Sequence, residues 1–156
     1  MAIHEWPAAF DPTTAPVYTR NEITTARSAD QLWPILIDAS RWSQWYAHAD
    51  DVRLEDAADG LRPGSVFRWT TLGVRVTTEV TGFEPQRFLA WEGSGPGSRG
   101  YHRWILEPLD DGGCRIVTEE VQVGLIPRLL RRRLRRDLLA FHQNWLEELV
   151  ARRAQS

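Results

Sequence analysis

The chain has 156 residues, a net charge of −2 and a hydrophobic content of 42%, values typical of one soluble domain that buries its own core. All 19 basic residues are arginine, and the lack of lysine excludes Schiff-base, pyridoxal-phosphate and P-loop lysine chemistry. The balanced charge argues against nucleic-acid binding. No apolar run approaches the ~18 residues of a membrane span. The single cysteine favours a cytoplasmic location.

The first part of the chain predicts an irregular lead-in, a strand and two short helices. Residues 1–16 contain three prolines and no signal-peptide pattern. The β-branched run at 17–27 predicts the strand. Ser28 and Gln31 form a capping-box pattern that begins the first helix. The second helix carries three aromatic residues on one face: Trp42, Trp45 and Tyr46.

The remainder predicts a sheet followed by one long helix. Residues 51–122 contain six short runs near period two, separated by turn-forming residues, which predicts six further antiparallel strands. From about Leu125 to Arg153 the apolar spacing returns to three and four, which predicts a helix of about 28 residues. One domain over 17–153 is therefore expected, with the helix covering the apolar face of the sheet and a cavity between them.

Several stretches resemble one known superfamily over residues 18–153. The clearest is ARSADQLWPILIDASRWSQWY, which has an alanine-ended strand, an apolar helix with a tryptophan, an aspartate and two further tryptophans. The other matching stretches are PGSVFRW (63–69), FEPQRFLAWEG (83–93), HRWILEPLDDGGCRIV (102–117) and the Leu/Arg-rich final helix. The chain is thus similar to the START-like, birch-pollen-allergen-like superfamily (SRPBCC), in its polyketide cyclase/dehydrase branch.

This resemblance implies an α+β helix-grip fold. In that fold a curved seven-stranded antiparallel sheet wraps around a long C-terminal helix, two short helices follow strand one, and an apolar pocket lies between sheet and helix. Members of the superfamily bind lipids, steroids, polyketides or hormones, and a minority catalyse cyclisation or dehydration. Ala26 and Arg27 stand where the family usually has Ala-Pro, a departure that touches no site.

Two motifs suggest sites that their context argues against. GPGSRG (95–100) matches G-x-G-x-x-G, but a strand pattern follows it where a nucleotide site needs a helix, so it predicts a hairpin loop. His48, Asp50 and Asp51 have no further ligands at metal spacing, so we expect neither a metal nor another cofactor. Cys114 is expected to be a buried structural thiol.

Polar residues at inward strand positions form the candidate site. If Trp104 faces the core, period two also takes His102 inward. If Ile116 faces inward, Thr118 and Glu120 share its face. A histidine and a carboxylate buried together can act as general acid and base. Two alternatives stay open: these residues are hydrogen-bonded parts of the cavity wall without a catalytic role, or they lie on the exposed face of the sheet.

The predicted ligand-binding set joins these residues to His142, at the edge of the final helix's apolar stripe, and to the aromatic residues of the inner face. It comprises Phe67, Trp69, Trp91, His102, Trp104, Thr118, Glu120, Phe141, His142 and Trp145. The catalytic candidates are His102, Glu120 and His142. Eight tryptophans favour an aromatic-lined cavity, although a Trp-rich core without a ligand fits the composition nearly as well.

Three classes of function follow. The first is a carrier or sensor of a small hydrophobic molecule of lipid, polyketide or aromatic type. The second is an aromatase/cyclase-like enzyme that uses the cavity histidines and Glu120. The third is an interaction module whose arginine-rich helix docks on a partner or, peripherally, on a membrane. A nucleic-acid partner and stable membrane insertion are not expected, and either a monomer or a homodimer is compatible with the sequence.

The six arginines between Arg128 and Arg136 are interpreted as the solvated back of the pocket-forming helix. Most of them lie off its apolar stripe, and no aromatic residues interleave them as single-strand nucleic-acid binders require. The stripe itself is predicted to face the sheet: Leu130, Leu134, Leu138, Phe141 and Trp145.

Overall fold

The computed structural model describes residues 4–56 and 59–153. Seven strands form an antiparallel sheet in the order β1-β7-β6-β5-β4-β3-β2. The strands are β1 Val17–Thr25, β2 Asp50–Leu54, β3 Val66–Thr71, β4 Val74–Glu84, β5 Phe88–Gly95, β6 Ser98–Pro108 and β7 Cys114–Val123. The α-helices are α1 Ala29–Ile37, α2 Leu125–Leu129 and α3 Arg131–Ala151, and two 3₁₀ helices span Ala8–Phe10 and Ala39–Gln44. The predicted helix-grip fold is confirmed.

The capping box predicted at the start of α1 is present. Gln31 N donates to Ser28 Oγ at 3.3 Å, and Ser28 N donates to Gln31 Oε1 at 3.2 Å. These two bonds satisfy backbone and side-chain groups that a bare helix end leaves unpaired. The helix then buries Leu32 and Leu36 completely, which fixes α1 against the body of the domain.

The concave face of the sheet and α3 enclose an aromatic core centred on Trp42. The Trp42 side chain is fully buried, and its Nε1 donates to Leu36 O at 3.0 Å. Its ring centroid lies 5.2 to 5.7 Å from those of Phe67, Trp69, Trp91 and Trp145. Much of the unusual tryptophan content is therefore used to build the core, as well as the wall of a cavity.

The N-terminal segment covers the opposite face of the sheet. Phe10, at the end of the first 3₁₀ helix, is buried there with Phe88, Ala90, Tyr101 and Val121. Trp6 lies over the Arg103 guanidinium at 4.0 Å, a cation–π contact. The predicted irregular lead-in is thus packed against the sheet in this region, while its residues 1–3 lie outside the described residues.

The C-terminal helix is divided, so the prediction of one continuous helix from about Leu125 to Arg153 is wrong. α2 ends at Leu129, and Leu130 has φ −110° and ψ 23°, outside the helical range. The first turn of α2 is tied to the β5–β6 turn because Ile126 N donates to the Gly97 carbonyl oxygen at 3.1 Å. α3 instead follows the concave face of the sheet, so the chain bends between the two attachments.

The bend changes which residues of the predicted stripe are packed. Leu130 is 43% exposed, whereas Leu138 is 3% exposed and Trp145 1%. The arginines from Arg128 to Arg136 are exposed, as predicted. In the described part of the chain no helix is long and apolar enough to cross a membrane.

The GPGSRG stretch is strand rather than loop for most of its length. β5 continues to Gly95 and β6 begins at Ser98, so only Pro96 and Gly97 form the turn. Gly97 has φ +69°, a conformation that glycine adopts without steric cost. The predicted loop is therefore a tight two-residue hairpin, which extends the concave face beyond its expected end.

Candidate functional site

A cavity of about 620 Å³ lies at the hairpin end of the concave face. Its position follows from side-chain size along β5. Trp91 is inward and large, but the next two inward positions are Gly93 and Gly95, and Gly100 faces Gly93 from β6. Inward residues alternate along a strand, so these glycines leave space on the same face that Trp91 fills. The cavity begins where the aromatic core stops.

The polar part of the cavity wall is set by strand register. Trp91, His102 and Glu120 stand directly opposite one another on β5, β6 and β7, and Thr19 continues the row on β1. Directly paired residues share a face of the sheet, so all four point toward α3. Trp91, His102 and Glu120 line the cavity.

His102 is held by Thr118 on one side and faces Glu120 on the other. Its Nε2 lies 2.6 Å from Thr118 Oγ1, and its Nδ1 lies 3.4 Å from Glu120 Oε1. The Thr118 hydroxyl donates to the Arg103 carbonyl oxygen at 3.4 Å, so we infer that it accepts from His102 Nε2–H. His102 Nδ1 is then an acceptor that faces Glu120.

Burial controls the charge of this cluster. It lowers the pKa of His102 well below the usual 6.5, with a smaller contribution from the nearby His142, and it lowers the pKa of His142 to about 3. Burial raises the pKa of Glu120 to about 7, although its hydrogen bond from Gln122 acts in the opposite direction. Near neutral pH both histidines are therefore uncharged, while the Glu120 carboxyl group is partly protonated and partly ionised.

His142 approaches the cluster from α3. Its ring centroid lies 4.6 Å from that of His102, and its buried Nδ1 has no hydrogen-bond partner among the described residues. His102, Glu120 and His142 each offer a ligand-type atom within 4.8 Å of the others, so they are the described residues with geometry that could hold a metal ion. The contacts of His102 with Thr118 and Glu120 already account for both of its ring nitrogens.

The structure brings all ten predicted site residues to the concave face but divides them into two layers. Five line the cavity: Trp69, Trp91, His102, Glu120 and Phe141. The other five lie behind or below that wall, each at most 3% exposed: Phe67, Trp104, Thr118, His142 and Trp145. Trp69 is fixed by a hydrogen bond from its Nε1 to Thr78 Oγ1 at 3.0 Å.

Sequence reasoning missed several residues of the cavity. Gly93, Gly95 and Gly100 have no side chain that marks a site, although their spacing from Trp91 and His102 places them on the inward face. His48, which the sequence suggests only as a possible metal ligand, stacks its ring on Phe141 with centroids 3.7 Å apart and lines the cavity. Cys114 is buried, as predicted.

A curved seven-stranded sheet that grips one long helix, with a cavity between them, defines a helix-grip protein of the START-like class. The chain belongs to the family described as "Polyketide cyclase / dehydrase and lipid transport", which matches residues 17–153. The predicted SRPBCC resemblance, in the polyketide cyclase branch, is thereby confirmed. No curated protein matches the chain.

Solved structures share the fold along most of the chain. A hypothetical protein from Helicobacter pylori is 29% identical, with a TM-score of 0.88 and coverage of 94% of both chains. The Zhui aromatase/cyclase from a Streptomyces species is 17% identical, with a TM-score of 0.73 and coverage of 86% of this chain and 91% of its own. A START superfamily protein from Mycobacterium smegmatis is 16% identical, with a TM-score of 0.64 and coverage of 85% and 98%. The last two similarities concern the fold alone.

Proposed function

We propose that the protein binds a small, largely apolar molecule in this cavity and that His102 and Glu120 hydrogen-bond its polar group. The observation that carries the proposal is the combination of volume and wall. About 620 Å³ falls within the roughly 300–1,000 Å³ usual for small-molecule sites. The wall joins indole faces to a pair of polar side chains, which suits a ligand with both apolar and hydrogen-bonding parts.

The shape of the wall favours a molecule that contains rings. Trp69 and Trp91 come from the sheet, while Phe141 reaches the cavity from α3. Flat aromatic side chains on two sides stabilise a planar or near-planar ligand through stacked and edge contacts. Ring-containing lipids, polyketides and aromatic compounds all fall within this class, and the polar pair His102 and Glu120 would orient any of them by a carbonyl or hydroxyl group.

Ligand extraction combined with a filled cavity tests the proposal. Mass spectrometry of small molecules released from the purified protein should identify a bound compound. Gly100→Leu should lower the affinity for that compound at least tenfold, because the new side chain projects into the cavity. Gly100 tolerates a Cβ, whose nearest neighbours would lie 3.6 Å and 3.7 Å away. Ser94→Leu introduces the same side chain on the outward face of β5 and should bind normally; equal binding by both variants would overturn the proposal.

A second candidate function is an aromatase/cyclase-like dehydration, and the facing pair His102 and Glu120 favours it. Dehydration of a β-hydroxyketone removes a proton from the carbon beside the carbonyl and expels the hydroxyl group, with a second proton, as water. The Glu120 carboxylate, with a pKa of about 7, can accept the first proton while His102 Nδ1 faces it, and the same carboxyl group can then supply the proton that leaves with the hydroxyl group. Both groups line the cavity.

Turnover of a short β-hydroxyketone thioester tests this second candidate. Glu120→Gln should lower kcat about a hundredfold or more, as expected for the loss of a general acid and base. His48→Gln, also in the cavity wall but outside the pair, should retain most of the activity. Absence of turnover by the wild-type protein, or an unchanged kcat in Glu120→Gln, would exclude the assignment and leave binding as the function.

A further inference from the structure

The exposed large hydrophobic residues in the described part of the chain gather around the mouth of the cavity. They form what we term the rim patch: Val74 (40% exposed), Leu125 (63%), Ile126 (39%), Leu129 (68%) and Leu130 (43%). Val74, Ile126 and Leu130 also line the cavity. A contiguous apolar patch at the opening of a pocket marks a site of interaction, whereas scattered single residues would need no explanation.

The rim patch is held in place by the fold. Ile126 N donates to Gly97 O at 3.1 Å, which ties α2 to the β5–β6 turn. The contact is so close that a Cβ on Gly97 would lie 2.8 Å from Ile126 Cγ1, and one on Gly124 would lie 2.6 Å from Gly97 O. Glycine at both positions therefore permits α2 to sit against the hairpin. The leucines are consequently displayed by a fixed helix.

The charge beside the rim patch is positive and largely uncompensated. Arg128, Arg131, Arg132 and Arg135 are exposed and form no ion pair within the described residues. Arg133 and Arg136 share one acid, Asp137, at 3.8 Å and 3.0 Å. From Gly124 to Arg136 the chain has six arginines and no acidic residue. Such a surface attracts an anionic partner over several ångströms.

We propose that the rim patch and these arginines dock the protein on the surface of an anionic phospholipid bilayer, with the mouth of the cavity facing the lipid. The leucine and isoleucine side chains offer no hydrogen bond to a protein partner but partition readily into the acyl region. The arginines fit phosphate groups at any lateral position, since a bilayer requires no fixed pattern of acids. An apolar ligand could then enter the cavity directly from the membrane.

Vesicle co-sedimentation of the full chain tests the docking. The protein should bind vesicles of phosphatidylcholine with phosphatidylglycerol, bind pure phosphatidylcholine at least tenfold more weakly, and lose the difference at high salt. Arg131→Gln combined with Arg132→Gln should remove the preference for anionic vesicles. Leu125→Ser combined with Leu129→Ser should lower binding at least tenfold while the preference remains. A control, Arg62→Gln with Arg68→Gln, removes two exposed arginines elsewhere and should bind as the wild type does.

Three results would overturn the docking. One is the absence of salt-sensitive binding to anionic vesicles. Another is equal vesicle binding by the Leu125→Ser, Leu129→Ser variant and by the Arg62→Gln, Arg68→Gln control. The third is a dimer in solution that the Leu125→Ser and Leu129→Ser variant dissociates, which would make a second copy of the chain the occupant of the rim patch. Ligand binding by Gly100→Leu is measured without vesicles, so failure of the docking and failure of the proposed function are distinguishable.

Discussion

His102 on β6 and Glu120 on β7 are direct cross-strand partners, with Nδ1 of the first 3.4 Å from Oε1 of the second. Their side chains are 3% and 13% exposed, so neither is well solvated. A buried pair of this kind is least costly when neither group is charged, which is the case when Glu120 is protonated and His102 is neutral. The fold therefore favours a shared proton between them.

The first prediction concerns pH. Glu120→Gln should gain stability relative to the wild type as the pH rises from about 4.5 to about 7. The carboxyl has a pKa of 4.5 when unfolded and about 7 in the fold, so the contribution of Glu120 to wild-type stability falls as the pH rises through this window, and the glutamine variant avoids that loss. At about 1.4 kcal/mol per pKa unit, the full change from 4.5 to about 7 is worth roughly 3 to 4 kcal/mol, of which on the order of 2 to 3 kcal/mol develops within this window. Urea unfolding across the window measures it.

The histidines supply an internal control for that experiment. The pKa values of His102 and His142 are lowered in the fold, so both proteins should lose stability as the pH falls below about 6.5 and the unfolded chain takes up protons. This loss of stability at low pH should appear in the wild type and in Glu120→Gln alike. A stability difference between the two proteins that stays constant from pH 4.5 to 7 would show that Glu120 ionises normally in the fold.

The second prediction concerns the hydrogen bond that orients His102. Thr118→Val preserves the shape of the side chain but leaves His102 Nε2 without its partner at 2.6 Å. An unpaired buried polar group costs about 1 to 3 kcal/mol, so the free energy of unfolding should fall by that amount. Thr77→Val on the exposed face of β4 is the matched control and should change stability by less than about 0.5 kcal/mol. Equal losses would mean that the Thr118 bond contributes nothing.

The third prediction compares two arginine–glutamate pairs that join the same strands, β6 and β7. Arg103 and Glu119 meet at 2.7 Å with side chains 11% and 8% exposed, whereas Arg115 and Glu107 meet at 2.6 Å with side chains 43% and 44% exposed. Tyr18 also donates its hydroxyl to Glu119 at 2.5 Å. The first pair is covered by the N-terminal segment, and the second pair is open to solvent.

Glu119→Gln should therefore cost about 2 to 4 kcal/mol, because it leaves the Arg103 charge buried without a counter-charge. Glu107→Gln should cost less than about 1 kcal/mol, because water and salt screen an exposed pair. Denaturant unfolding at moderate ionic strength compares the two variants directly. Similar costs would show that the N-terminal segment does not shield the Arg103 pair.

The sequence predicted the strands and the inward residues better than it predicted their surroundings. Period two identified His102 and Glu120 as inward, but each was inferred from its own strand. That they are direct partners depends on register, which the turns determine and which alternation alone does not specify. The docking of α2 on the hairpin could not be read from the sequence either. It depends on a contact between Ile126 and Gly97, which lie far apart in the chain.

The length of β4 also exceeds what alternation alone predicts. The alternating run GVRVTTEV ends at Val80, but the strand continues to Glu84 through a register shift between Val80 and Gly82. A Cβ on Gly82 would lie 2.6 Å from Phe88 Cε1, so glycine is needed for the two strands to approach. A glycine inside a strand pattern can mark such an irregularity.

The expected domain limits and the cytoplasmic location stay predictions.

The last prediction concerns Trp42, the centre of the aromatic core. Trp42→Leu should cost about 2 to 4 kcal/mol, since it leaves a void where four aromatic rings meet one indole. Trp45→Leu, at a half-buried position three residues later, should cost about 1 kcal/mol or less. Urea unfolding of both variants measures the difference.

The same substitution also tests how the core supports the cavity. Trp69 and Trp91 contact Trp42 on one side and form the cavity wall on the other. If Trp42 positions that wall, Trp42→Leu should weaken ligand binding in conditions where the variant is fully folded, while Trp45→Leu should not. Unchanged affinity in a folded Trp42→Leu protein would show that the wall is held by the sheet alone. The tryptophan-rich core would then contribute to stability and not to recognition.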